Sequence, residues 1–232
     1  MDAAVVTVGD ELLAGRTTNT NATWLCEQLT ERGVRVERIT TVPDRVSDIA
    51  RVVNEYRAEY DRVIVTGGIG PTHDDVTMAG VAAAFGRMLE ENEDARAWLT
   101  DHVGYTRADL VDGTATLPKG AKPIHNDVGV APGAVVDTVY VFPGVPQEMQ
   151  AMFESVAHRF EGTRRPTETV VADEPESALL DRIEAVRDRF DVEVGSYPGQ
   201  YVRLVLTGQE PEEIQRAADW LRSQVELPDS TA

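Results

Sequence analysis

Three short stretches of this chain combine acids with a turn at spacings that suit phosphate chemistry: Gly9-Asp10-Glu11, Pro43-Asp44, and the longer run Gly67-Gly68-Ile69-Gly70-Pro71-Thr72-His73-Asp74-Asp75. Glycines lack a Cβ and so let a backbone approach a ligand closely, and N–H groups near a helix start attract an anion such as phosphate. Carboxylates beside such a loop would repel the phosphate unless a hard divalent cation lay between them. Magnesium is typically held in this way, by one or two carboxylates together with phosphate oxygens. The pattern therefore points to a phosphorylated ligand and a divalent metal. The glycines could equally make only a tight turn, with Asp74 or Asp75 capping a helix that starts at Val76.

Other polar residues have two readings as well. Asn19 and Asn21 can reach the same edge, yet Asn19 also suits the cap of a helix beginning at Thr20, and Asp44 suits the cap of the next one. Arg16 is the nearest basic candidate for a phosphate contact, and His73 fits a solvated loop as well as a ligand site. With four histidines and one cysteine, Cys26, the chain has no recognisable set of zinc ligands and no internal disulfide. No nucleophile stands at a recognisable spacing from a base. Cys26 is expected on a helix as a small core residue.

These residues meet only if the elements that carry them alternate. Ala3 to Val8 reads as an apolar strand, and Thr20 to Arg32 as a helix with Ala22, Leu25, Cys26 and Leu29 on one face, stopped by Gly33. Val34 to Val42 reads as a strand, Val46 to Glu59 as a helix burying Ile49, Val52, Val53 and Tyr56, and Val63 to Thr66 as a strand. A helix from Val76 to Phe85 ends at Gly86. This alternation predicts an α/β fold with a mostly parallel sheet, right-handed crossovers and helices on both faces. Ligands of such sheets bind outside the carboxyl ends of the strands, where all three acidic stretches fall.

Further on, Glu90 to Gly113 reads as a charged, helical excursion before the sheet resumes over Val135 to Phe142. Pro146 is placed to open a helix reaching about Phe160. Gly162 to Pro166 reads as a linker, dividing a domain over 1–165 from a smaller one over 166–232. The smaller one has the order β-α-β-β-α, with Pro198-Gly199 turning its middle hairpin.

Composition narrows the function classes. Forty-two per cent of the 232 residues are apolar and recur in ordered patterns, which excludes an acidic disordered chain. No segment approaches the roughly 18 to 20 apolar residues of a membrane helix, and Met1-Asp2-Ala3 does not begin a signal peptide. A cytoplasmic protein with no membrane partner is expected. Forty acids against 22 bases give a net charge of −18, and Lys119 and Lys122 are the only lysines. Such a surface repels nucleic acid, and concentrated salt would screen its self-repulsion, since the Debye length falls to about 3 Å at 1 M. A halophilic cytoplasm follows. The tail has no basic face or aromatic strand motif of an RNA-binding module, so an oligomerisation or lid role is expected of it.

In order, GDELLAGRTTNTNATWL, VPD, TGGIGPTHDDVT, NDVGVAPG and FPGVPQEM resemble successive signatures of the CinA-like (competence/damage-inducible) molybdopterin-binding domain. The resemblance covers about residues 3 to 160, and the part after Pro166 resembles the small α/β domain that follows in the same family. It implies a three-layer molybdopterin-binding-like domain with a mostly parallel sheet, and a homo-oligomer. Relatives insert molybdate into molybdopterin or adenylate the pterin, and CinA-like members are linked to metal-dependent cleavage of ADP-ribose. Both ligands join a nucleotide to another group through a pyrophosphate, so one pocket could serve either.

The family's functional aspartates map onto Asp44 and Asp75, and its GDEL glutamate onto Glu11. The resemblance thus implies catalytic roles for Asp44, Asp75 and Glu11. Asp10, Glu11 and Asp75 would hold magnesium, manganese or cobalt, and Asp44 would help position the attacking water. Gly67, Gly68, Gly70 and Thr72 would bind the phosphates, with Asn19, Asn21, Asn126, Gly129, Pro132, Pro143, Gly144 and Pro146 shaping the rest of the pocket. These prolines and glycines could instead be structural turns. Long relatives continue into an amidohydrolase acting on nicotinamide mononucleotide; the chain ends at Ala232 without it, so that activity is expected to be absent. Where the family often reads GTEL this chain reads GDEL, the form of the molybdenum-insertion relatives. ADP-ribose hydrolysis, cofactor assembly and non-catalytic binding of a nucleotide or pterin all stay open.

Overall fold

Strands and helices alternate as the apolar spacing predicts. The computed structural model describes residues 1–70, 72–101 and 113–228; Pro71 of the glycine loop and residues 102–112 of the charged excursion lie outside them. The chain divides into two units, Met1–Thr163 and Arg164–Ala232.

The first unit opens with β1 (Asp2–Val8), α1 (Asp10–Leu13), α2 (Thr20–Glu31), β2 (Arg35–Val42), α3 (Val46–Glu59), β3 (Arg62–Thr66) and α4 (Thr77–Ala84). It continues with β4 (Leu89–Glu91), α5 (Glu93–Asp101), β5 (Thr116–Pro118), β6 (Lys122–Ile124), β7 (Gly133–Val136), β8 (Val139–Phe142) and α6 (Pro146–Val156). The main sheet has the order β2-β1-β3-β8-β7-β6. Its first four strands are parallel; β7 pairs antiparallel with β8, and β6 antiparallel with β7.

Because β1 lies inside the sheet, both of its faces are buried and its sequence is almost continuously apolar. Ala4, Val6 and Val8 join one core with Ile49, Val52 and Val53 of α3 and Val81 of α4. Ala3 and Val5 join the other, with Leu25 and Leu29 of α2 and Met149, Met152 and Phe153 of α6. Burying each such large side chain contributes about 1.5–3 kcal/mol. Helix α2 shows how local chemistry sets the limits. The Asn19 side chain accepts from the Ala22 N–H at 3.1 Å, and Gly33, at φ 74, lets its own N–H and that of Val34 close on the carbonyls of Thr30 and Leu29. Cys26 on this helix is only half-buried, and that burial pushes its thiol pKa up.

The sheet resumes over Val135 to Phe142 as expected, in two strands: Asp137 adopts φ 52, a left-handed conformation aspartate tolerates, and reverses the chain between β7 and β8. Arg87 holds the Asp137 carboxylate at 2.9 Å. One expectation needs correction: the charged excursion is not wholly helical in its described part, since it opens with β4, which pairs with β5 in a small ribbon before α5 begins.

The second unit contains β9 (Thr167–Ala172), α7 (Glu176–Arg189), β10 (Val192–Tyr197), β11 (Val202–Gly208) and α8 (Pro211–Arg222). The strands form an antiparallel sheet of order β10-β11-β9. Val202, Leu204 and Leu206 alternate inward along β11 and pack with Leu179 and Val186 of α7 and Ile214 and Leu221 of α8. Among the described residues, no helix is long and apolar enough to cross a membrane.

Candidate functional site

The parallel register aligns Val8 with Val42 and Thr7 with Thr66, so the loops after β1, β2 and β3 leave the sheet along one edge. The roots of two of these loops are in close contact. Gly67 has φ 103, its N–H donates to the Phe142 carbonyl at 3.1 Å, and a Cβ on it would run into the Val8 carbonyl oxygen. Only glycine fits there.

Asp44 ties the second loop to the first. Its Oδ2 accepts from the Asp10 N–H at 2.9 Å, and its Oδ1 lies so near Gly68 that a Cβ there would be 3.1 Å away. Asp75 turns back over its own loop, where its Oδ2 accepts from the Thr72 N–H at 2.9 Å and hydroxyl at 2.6 Å and covers Gly70. Glu11 lies over Gly9 in the same way. The carboxylates of this edge thus rest on its glycines.

Capping does not explain the two aspartates. Helix α3 has Arg45 as its N-cap and α4 has Val76, neither with a side-chain cap bond. Asp74 instead meets His73 at 2.6 Å, both well exposed. For Asn19 capping does hold; its amide also donates to the Thr7 hydroxyl at 3.1 Å.

Asp10, Glu11, Arg16, Asp44, Gly68 and Asp75 share an open cleft of about 1030 Å³. Among the described residues no ion pair reaches Asp10, Glu11, Asp44 or Asp75. Burial pushes the Asp44 carboxyl above the ordinary aspartate range. The Asp10 N–H pulls it down, and the charges of Asp10, Glu11 and Asp75 push it further up.

Among the described residues no group of three or more histidine, cysteine, aspartate or glutamate side chains is arranged to hold a metal. Asp10, Glu11 and Asp75 do not converge into a ready-made set, because Glu11 and Asp75 lie on different glycines. A cation here would take one or two of these carboxylates and complete its shell with ligand oxygens, the arrangement that suits magnesium.

Beside the acidic cleft, and sharing Glu11, Gly67 and Gly144 with it, lies a smaller cavity of about 380 Å³. Thr7, Thr18, Asn19, Asn21 and Thr66 line it, with Pro146 at its border. Asn21 donates to the Gly144 carbonyl at 2.8 Å and the Thr66 hydroxyl at 3.3 Å, which leaves its buried Oδ1 without a partner. Thr66 donates in turn to the Pro143 carbonyl at 2.7 Å. Pro132 lines a third cavity together with Gly70, Thr72 and Asp75.

Asn126 and Gly129 are not brought to the acidic cleft. The Asn126 amide donates to the Ala131 carbonyl and to Glu148, and its oxygen accepts from the N–H groups of Val128 and Gly129. Gly129 makes room for Glu148. Both organise their loop against the first turn of α6.

Sequence reasoning did not single out Thr7, Thr66 or Thr77. Thr77 is fully buried beneath Gly68 with its hydroxyl unpartnered, an arrangement that costs about 1–3 kcal/mol unless another group completes it. For the first two a signal was present: a threonine interrupts an otherwise apolar strand within two residues of a glycine in Val5-Val6-Thr7-Val8-Gly9 and Val63-Ile64-Val65-Thr66-Gly67.

Comparison with known proteins places this edge in context. Residues 4–161 match the family described as a probable molybdopterin binding domain, and residues 166–229 match the one described as FAD synthase, middle domain. A protein of Archaeoglobus fulgidus is 40% identical over 219 residues, covering 94% of this chain and 95% of its own length. A protein of Aeropyrum pernix is 44% identical over 210 residues, covering 84% of this chain and 78% of its own. The crystal structure of the protein CinA with unknown function from Thermoplasma acidophilum is similar at a TM-score of 0.64 and 38% identity, over 68% of this chain and 97% of that one.

Proposed function

The chain belongs to the family of probable molybdopterin-binding domains, in its CinA-like form, and on that premise we propose that it is a divalent-metal-dependent hydrolase of ADP-ribose or a similar nucleotide pyrophosphate. The observation that carries this reading is Asp44. It is a carboxylate that burial makes reluctant to ionise, it stands within the field of three other acids, and it accepts a hydrogen bond from the Asp10 N–H. A cation arriving with a pyrophosphate would relieve that repulsion, held by one or two of Asp10, Glu11 and Asp75. When bound, it would offset charge developing on the anhydride oxygens.

The protein's own groups do the remaining work. Asp44 orients the attacking water and accepts its proton as the water oxygen bonds to phosphorus and the bridging P–O bond breaks. The backbone at Gly9 and Gly70 is opened to the phosphates when Glu11 and Asp75 lift from the glycines they cover, with Gly67 and Gly68 lining the cleft between them. Arg16 stands at the cleft as a counter-charge. Asn21, Thr7 and Thr66 offer hydrogen-bond partners to a hydroxylated group beside the phosphates.

The test is to incubate the purified protein in concentrated KCl with ADP-ribose and magnesium, manganese or cobalt. AMP and ribose 5-phosphate are expected by chromatography, and Asp75→Asn should abolish them. Absence of AMP with all three metals would refute the hydrolase reading. The net charge of −18 makes concentrated salt the appropriate medium. A cytoplasmic homo-oligomer goes with this reading, and mass in solution checks the assembly.

The family description favours a second reading, a pterin ligand processed in molybdenum-cofactor assembly or only bound. Adenylated molybdopterin has the same outline, two unlike ends joined through a pyrophosphate. Tight pterin binding by a chain that leaves ADP-ribose intact would select it.

A further inference from the structure

Helix α4 runs Thr-Met-Ala-Gly-Val-Ala-Ala-Ala, and its one polar side chain, Thr77, is fully buried. Nothing in the chemistry above uses it. Its N–H donates to the Gly68 carbonyl at 3.0 Å, which fixes where the side chain stands. The hydroxyl is left without a partner, although a valine would fill the same volume and leave no polar group unpaired. The surroundings show what would complete it. A Cβ on Gly68 would lie 2.6 Å from Thr77 Oγ1 and 3.1 Å from Asp44 Oδ1, so the two oxygens flank one spot that stays open because residue 68 has no side chain. Asp44 Oδ2 takes the Asp10 N–H, and among the described residues no hydrogen bond reaches Oδ1.

We propose that Thr77 is a positioning residue: when a cation and a phosphate occupy the acidic edge, its hydroxyl donates to Asp44 Oδ1. This rests on the hydrolase reading of Asp44. The carboxylate is then gripped at both oxygens, by the Thr77 O–H on one and the Asp10 N–H on the other. The remaining lone pair of Oδ2 faces the water whose proton it takes. Charge supplies the drive, because a hydroxyl donor to a carboxylate makes one of the stronger classes of hydrogen bond once the cation balances the neighbouring acids. Burial of Thr77 keeps bulk water from competing for the hydroxyl. A base held in one orientation preserves the attack geometry, and a misplacement of about 1 Å can cost roughly a hundredfold in rate.

The test is a double-mutant cycle on the full chain, Thr77→Val against Asp44→Ala, read as the unfolding constant in urea. It is run in KCl alone and again with saturating magnesium and the non-hydrolysable α,β-methylene analogue of ADP-ribose. Without these additions Thr77→Val should leave the midpoint unchanged or raise it, and the two substitutions should add. With magnesium and the analogue they should depart from additivity by about tenfold or more. In turnover, Thr77→Val should lower kcat about a hundredfold at an unchanged KM, and Thr77→Ser, which keeps the hydroxyl, should return most of that loss.

Additivity in both media would overturn the contact, and AMP release under those conditions would leave the hydrolase standing without it. Coupling in the loaded protein with no AMP release would keep the contact and remove the hydrolase. A lowered midpoint for Thr77→Val with kcat untouched, or a rate loss that Thr77→Ser does not recover, would also overturn the assignment.

Discussion

Asp44 and Glu174 are both acids just beyond the end of a strand, one in each unit, and their surroundings could hardly differ more. Arg182 meets both Glu174 oxygens at 2.6 Å, and the Glu226 N–H donates to one of them at 2.7 Å. The Arg182 bond, helped by the Glu226 N–H, holds the Glu174 carboxyl below the ordinary glutamate range. Asp44 has the Asp10 N–H, lies among other acids, and is pushed the opposite way by burial. In a chain with 40 acids, acidity by itself marks nothing. A carboxylate answered by a guanidinium holds the fold together, whereas one left among its own kind invites a cation from outside.

The largest effect expected from this contrast is on turnover. Asp44→Asn should lower AMP formation by roughly 10²–10⁴-fold, the usual worth of a positioned base. Glu174→Gln should leave it unchanged, and a comparable loss there would erase the distinction. Next in size is the coupling between cation and phosphate. Because the acids must leave the glycines before a phosphate can approach, magnesium should tighten pyrophosphate binding about 5- to 150-fold by calorimetry. Equal affinity with and without magnesium would show that the acids do not obstruct the loop.

A backbone effect comes third. Gly67→Ala should destabilise the protein by about 1–3 kcal/mol in urea denaturation, since it forces a side chain into a left-handed residue pressed against another strand's carbonyl. An unchanged midpoint would mean the two loop roots can part.

The smallest effect is on stability against pH, and its sign differs between the two acids. Glu174, depressed in the folded state, contributes stability that is present above its ordinary value of 4.5 and is lost as pH falls through the lower folded value. Melting temperature should therefore fall on acidification into that range, and fall less in Glu174→Gln. Asp44 is raised above its ordinary 3.8, so its contribution is present below that value and is lost as pH rises through the folded value. Asp44→Asn should accordingly melt slightly higher than the native chain near neutrality, with the gap closing in acid.

Legibility in the sequence followed the range of the interactions. The bounds Val46 and Glu59 of α3 could be read to the residue, because four apolar side chains at helical spacing decide them locally. The β7–β8 hairpin could not, because Asp137-Thr138 carries neither the glycine nor the asparagine that usually announces a two-residue turn. At the acidic edge the three strand ends were visible, but whether Asp44 caps a helix depends on an N–H 34 residues away. Asn126 looked like a pocket residue until Glu148, 22 residues further on, was seen to take its amide. The cavity beside Gly70 was invisible for the same reason, since Met78, Leu89 and Leu117 come from separate elements.

The abutment of Gly67 on the Val8 carbonyl sets a rule for how this scaffold could be retuned. Its seam admits no side chain, so mutation has no small step by which to reshape the base of the cleft. Change in ligand preference is confined to the perimeter, to residues such as Arg16, His73 and Leu89, whose replacement leaves the seam intact. A designer seeking a new ligand should therefore randomise the perimeter and leave the keel alone.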